Sequence, residues 1–169
     1  MVFAYYSNLS RKQKLIYRAS DKIISVSLQD VSAVKPLAVK LEKTLQMESR
    51  SNIETLARQF TRVIITDLKV APVRVKVLAV RPSNNWGELH GLYEPEEKKQ
   101  QACISVWMRT AHHKKVVAFR TFLRTLIHEI CHHLDYELFD LEDSFHTEGF
   151  FKRESSLFKQ LVENQGTSE

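Results

Sequence analysis

His128-Glu129-Ile130-Cys131-His132, followed downstream by Phe145-His146-Thr147-Glu148-Gly149-Phe150, are the stretches on which the reading of this chain turns. The first has the form H-E-x-x-H. At about 100° per residue, His132 lies about 40° from His128 on a helical wheel, so both imidazoles leave one face, one turn apart. Glu129 sits roughly 100° round, at the edge of that face. Phe119, Leu123, Leu126, Ile127, Ile130, Cys131, Leu134 and Leu138 fall in an arc of about 160° to 300°. The helix is expected to bury that stripe and to turn its two histidines toward a cleft. Two neutral imidazoles with a carboxylate beside them are the donors and the base that a zinc hydrolase needs. The motif has only three fixed positions and also arises by chance. Its mid-helix position, the apolar stripe opposite and a further histidine downstream separate it from an amphipathic helix with surface histidines.

Two such histidines do not complete a catalytic zinc site, for which three protein ligands and a water are usual. His146 follows His132 by fourteen residues, enough for a helix end, a turn and the start of a new helix. Asp135, at i+7 from His128, is about 20° off its direction and better placed to support His132 or a loop residue than to ligate. Glu148 would make a two-His, one-Glu site. Imidazole suits zinc, which favours His146, with Glu148 and Asp135 as the rivals. His133 points to the flank of the helix, near 140°, as a surface or boundary residue.

The rest of the chain bounds the function. Its 169 residues, 43% hydrophobic and 27% charged, read as a single domain, 1–169, able to bury a core. The first ten residues lack a basic-then-apolar leader, and no run of about 18 apolar residues spans a membrane. Cys103 and Cys131 do not make a disulfide framework, and Cys131 falls on the apolar side of the motif helix. These features point to a reducing cytoplasm. A net charge of +5 permits a nucleic-acid partner without demanding one.

Residues 1–70 read as helical. Ser7 or Ser10 caps a first helix to about Ile24, with Leu15, Ile16, Ala19 and Ile23 on its inner face. Asp30 or Ser32 caps a second, with Pro36 in its first turn and Leu37, Leu41 and Leu45 at i+4 spacing. Ser51 or Asn52 starts a third. The core region, 71–165, opens with an alternating strand, Val73, Val75, Val77 and Ala79. Short strands at 89–93 and 102–107 follow, for a mostly antiparallel sheet packed on the H-E-x-x-H helix. That helix starts within 115–118 and runs to about Phe139. Residues 140–144 form a loop, Thr147 caps a last helix, and 163–169 is expected to fray. Trp86 and Trp107 read as core or rim aromatics rather than substrate binders. The fold class is therefore α+β.

The pair of stretches resembles the SprT-like zinc metalloproteases. In that family the H-E-x-x-H helix is followed, after a comparable interval, by a segment of the form H-G-P-E-F. His146 and Phe150 match its first and last positions; Thr147, Glu148 and Gly149 depart from the middle. The strand at 102–107 also looks like the family's hairpin beside the active site. The resemblance covers roughly 73–161 and leaves the N-terminal helices unmatched. It implies a zincin-like fold, Zn²⁺ held by His128, His132 and His146, and Glu129 as the base that activates water against a peptide bond. Many relatives carry a four-cysteine zinc ribbon at the C-terminus. No cysteine follows Cys131, so DNA binding is not carried over through that module.

The expected activity is that of a zinc metallopeptidase acting on protein or peptide. The strand at 102–107 would offer an edge for an extended peptide, and Tyr93, His112 and His113 are candidates for steadying the oxyanion. The alternative is a zinc-stabilised binding protein, associated with nucleic acid or not, without protease activity.

Overall fold

The computed structural model describes residues 2–162, and side-chain caps start two of its helices, the first and the last. The 163–169 segment lies outside that range. A short 3-10 turn (Ala4–Asn8) leads to α1 (Arg11–Asp21), where Ser10 and Gln13 form a reciprocal capping box. Asp30 precedes α2 (Val31–Gln46), and Pro36 falls in its second turn rather than its first. Ser49, earlier than the sequence suggests, precedes α3 (Arg50–Asp67). The inner faces of α2 and α3 bury Val34, Ala38, Leu41, Leu45, Ile53, Ala57, Phe60 and Ile64.

The face of α1 differs from expectation. Leu15 is 62% exposed, and the buried residues are Tyr17 and Ser20. α1 faces the start of the last helix, where Ser20 and Asp21 find hydrogen-bond partners in Thr147, Gly149 and Arg153.

The strands are β1 (Arg74–Val80), β2 (Ser83–Asn84), β3 (Gly87–Glu88), β4 (Gly91–Glu94) and β5 (Cys103–Arg109). β2 and β3 form a small antiparallel hairpin, and the main sheet has the order β1-β5-β4. β1 runs parallel to β5, with Val75 opposite Ile104, and β4 antiparallel to it, with Gly91 opposite Val106. The sheet is thus mixed, not mostly antiparallel. The hairpin and β4 lie between β1 and β5 in sequence, and the chain returns to insert β5 in the middle. An almost wholly buried strand is what its continuous apolar run Val-Trp-Met requires. β5 therefore offers no free edge, contrary to the sequence expectation; β4 does. The outer edge of β1 is covered instead by α3. Arg50 and Arg58 donate to the carbonyls of Val77 and Val75, and Glu54 accepts the Val77 N–H.

α4 (Phe119–Glu137) and α5 (Glu148–Val162) follow. Thr147 caps α5: its Oγ1 accepts the Phe150 N–H at 2.9 Å. One apolar cluster joins residues of α2, α3, β1, β5, α4 and α5. Trp107 is buried in β5, but Trp86 is 94% exposed at the β2–β3 turn, so it is not a core aromatic. No helix among the described residues is long and apolar enough to cross a membrane.

Candidate metal centre

α4 is buried over more of its circumference than its apolar stripe alone implies. Leu123, Leu126, Ile127, Ile130 and Leu134 enter the core, and so do Glu129, His133 and Asp135. What remains open is the sector carrying His128 and His132. The loop after α4 returns His146 to that sector. The Nε2 atoms of His128 and His132 each lie 3.0 Å from Nε2 of His146. Among the described residues this is the one cluster of three metal-ligating side chains, with donor atoms within 4.8 Å of one another.

The hydrogen bonds behind the rings set their tautomers. His128 Nδ1 lies 2.8 Å from Glu154 Oε2, an acceptor only, so Nδ1 carries the proton. The Ser144 hydroxyl donates to Asp135 at 2.7 Å and can then only accept from His132 Nδ1, also at 2.7 Å. His128 and His132 therefore both present bare lone pairs at Nε2. A single proton on His146 Nε2 could satisfy only one of them. A cation satisfies all three, and three nitrogens around zinc at about 2.0–2.1 Å sit at about this mutual spacing. The donor set fits a metal ion.

Burial, followed by the neighbouring His128, His146 and Arg153, presses His132 down to about 3, and burial and His128 also lower His146. Both are therefore neutral near pH 7, as ligation requires. Phe150 lies beneath all three imidazoles, with ring centroids 4.7–5.2 Å away.

Glu129 projects beside the triad and is only 6% exposed. Its carboxylate packs against the backbone of β4 at Gly91, where a Cβ would stand 2.5 Å from Oε1. Burial chiefly raises this carboxyl to about 7, with His128 pulling down and Glu154 pushing up. Such a group is poised to exchange a proton near neutrality. A cavity of about 630 Å³ adjoins His128 and Glu129 on the Arg120 and Arg124 side. A second, of about 300 Å³, opens between Tyr93, Tyr136 and the three histidines. Gly91 of β4 lines both, so the free edge strand crosses the mouth of the site.

The other sequence candidates fall elsewhere. Glu148 turns to Lys152 at 2.8 Å, which holds its carboxyl low, and is not among the converging donors. Asp135 is fully buried, pairs with Arg153 at 2.8 Å and reaches His132 through Ser144. His133 is not a surface residue: it is 0% exposed. Its Nε2 meets the Ala71 carbonyl at 2.7 Å and its Nδ1 the Tyr93 hydroxyl at 2.9 Å. The carbonyl takes the proton on Nε2, so Tyr93 O–H donates to Nδ1. Tyr93 is stacked over His132 with its proton already committed, which removes it as a ready oxyanion donor. His112 and His113 sit on an exposed turn, edge to face with each other, and line neither cavity.

Sequence reasoning missed Glu154, Ser144 and Gly91. Glu154 lies one helix away from the histidine it holds, and no local spacing announces it. Gly91 carried a weak signal, as a glycine inside an expected strand (Leu89-His90-Gly91-Leu92-Tyr93), which often marks a close backbone approach. No family model, curated protein or solved structure matches this chain.

Proposed function

We propose that this chain is a zinc-dependent metallopeptidase of zincin type, akin to the SprT-like proteases. The observation that carries the reading is the convergence of three Nε2 atoms, two of them bare lone pairs by tautomer, next to a buried carboxyl poised near neutrality. His128, His132 and His146 would hold the Zn²⁺. The ion supplies a water activated at neutral pH and a Lewis acid for a peptide carbonyl.

The chain's own groups do the rest. Glu129 accepts the proton of the attacking water and delivers it to the leaving amine. Glu154, and Ser144 with Asp135, keep the two helix histidines in the ligating tautomer. Phe150 closes the floor and keeps bulk water from the back of the rings. The unpaired side of β4 hydrogen-bonds an extended peptide along its backbone, which carries the chain across Glu129 between the two cavities.

The test is metal stoichiometry and cleavage of an unfolded protein substrate by wild type, Glu129→Gln and His146→Ala. The reading expects one Zn²⁺ per wild-type chain, metal retained but cleavage lost in Glu129→Gln, and metal affinity lost in His146→Ala. Full metal affinity in His146→Ala would sink the site. Zinc binding with no cleavage by wild type would leave the zinc-stabilised binding protein.

A further inference from the structure

We infer that the N-terminal segment, residues 3–21, is the outer clamp of the metal centre: it positions His146, so its docking and metal binding are coupled. The inference rests on the metal-site reading above.

The three histidines are supported unequally. His128 and His132 stand on α4, each with its Nδ1 fixed from behind. His146 comes from the connection between α4 and α5, two residues before the helix begins. Its own carbonyl accepts the Tyr5 hydroxyl at 2.7 Å. The next amide, Thr147 N–H, closes on Phe145 O at 2.9 Å. Tyr5 therefore holds the backbone turn that aims the third imidazole.

The start of α5 is held by the same segment. Gly149 N–H donates to Asp21 Oδ1 at 2.9 Å. A Cβ at position 149 would lie 2.4 Å from the Asp21 carbonyl oxygen, so backbone meets backbone there with no slack. Arg153, 1% exposed, donates to the carbonyl and hydroxyl of Ser20 and, on the other side, to Asp135. Asp135 accepts from Ser144, which in turn accepts from His132. Two of the three donors are thus tied to the N-terminal segment, His146 directly and His132 through Arg153, Asp135 and Ser144.

The apolar core does not explain this docking. No described residue before Val26 belongs to the main buried cluster, and α1 leaves Leu15 exposed while burying Tyr17 and Ser20. The segment is held by polar bonds and ring contacts, Tyr17 on Phe145 and Phe3 on Phe151. Few apolar contacts with the core make a unit that can loosen without global unfolding. If that unit holds His146 in the ligating position, a bound ion must stabilise its docking by the same free energy.

The test uses the full chain and Zn²⁺ itself. It compares Tyr5→Phe and Asp21→Ala with wild type in Zn²⁺ release to a chelator, Co²⁺ d–d absorption and melting of the metal-free protein. Amide exchange in residues 3–21 is followed with and without Zn²⁺. Both variants are expected to release Zn²⁺ about 10-fold faster or more and to shift the Co²⁺ bands, with metal-free melting close to wild type for Tyr5→Phe. Zn²⁺ is expected to slow exchange across residues 3–21. Wild-type release rates in both variants, or equal exchange with and without Zn²⁺, would make the segment a cover and nothing more. A wild type that takes up no Zn²⁺ would instead overturn the metal reading itself.

Discussion

Glu129 is held by a glycine. A methyl group at position 91 would overlap the Glu129 carboxylate and Thr125, so on the proposed reading Gly91→Ala displaces the base without touching a metal-holding histidine. Cleavage should fall by at least about 10²-fold, the contribution typical of general base catalysis, while Zn²⁺ stoichiometry stays at wild type. On the same reading, Glu154 would act on the metal side. Glu154→Ala leaves His128 Nδ1–H and Arg124 without their carboxylate. Competition with a chromophoric chelator should show Zn²⁺ affinity reduced about 10–100-fold; unchanged affinity would mean that the carboxylate does not set the His128 tautomer. The difference in legibility at this scale is physical. His128, Glu129 and His132 are related by helix geometry, which depends on nothing beyond five consecutive residues. Gly91, Ser144 and Glu154 matter only through what they face, and that is set by how β4, the loop and α5 come to lie against α4.

At the scale of elements, the expected strands at 89–93 and 102–107 exist, with shifted ends, yet their roles are exchanged. β5 sits in the middle of the sheet and β4 on its rim. A peptide hydroxamate should therefore perturb the amide signals of Gly91–Glu94 and leave β1 unmoved. The opposite edge is sealed by α3, where Glu54 binds the Val77 N–H and pairs with Arg58 at 2.7 Å. Such cover guards a sheet edge against pairing with other chains. Glu54→Ala should cost about 1.5–3 kcal/mol by urea unfolding, the worth of one hydrogen bond to a charged group. It should also raise the tendency to aggregate; an unchanged midpoint would show that water replaces the carboxylate freely. Strand order escapes local reading because alternation reports one buried face, and a continuous apolar run two, but neither names the neighbours.

On the proposed reading, the whole molecule joins these parts through the metal centre. If Zn²⁺ binds the folded chain alone, removing it should lower stability by about 2.7 kcal/mol from a starting point of 100-fold excess over Kd. For a chain of this size that is a fall of roughly 5–10 °C in Tm, visible in calorimetry with and without chelator. An identical Tm would argue against a site linked to folding. What the sequence by itself determined were the α+β class, the helix starts at Ser10 and Thr147, the motif face of α4, and the histidine downstream that can return to it. All are short-range consequences of capping chemistry and helical period. Only the tertiary structure decided that β4 is the free edge, that His133 is buried and bonded, and that α1 packs on Phe145, Thr147 and the start of α5 rather than in the main core. Each of those depends on segments remote in sequence, β1 with β5, His133 with Ala71 and α1 with the start of α5, where pairing of hydrogen-bond donors with acceptors, and not local periodicity, selects the arrangement.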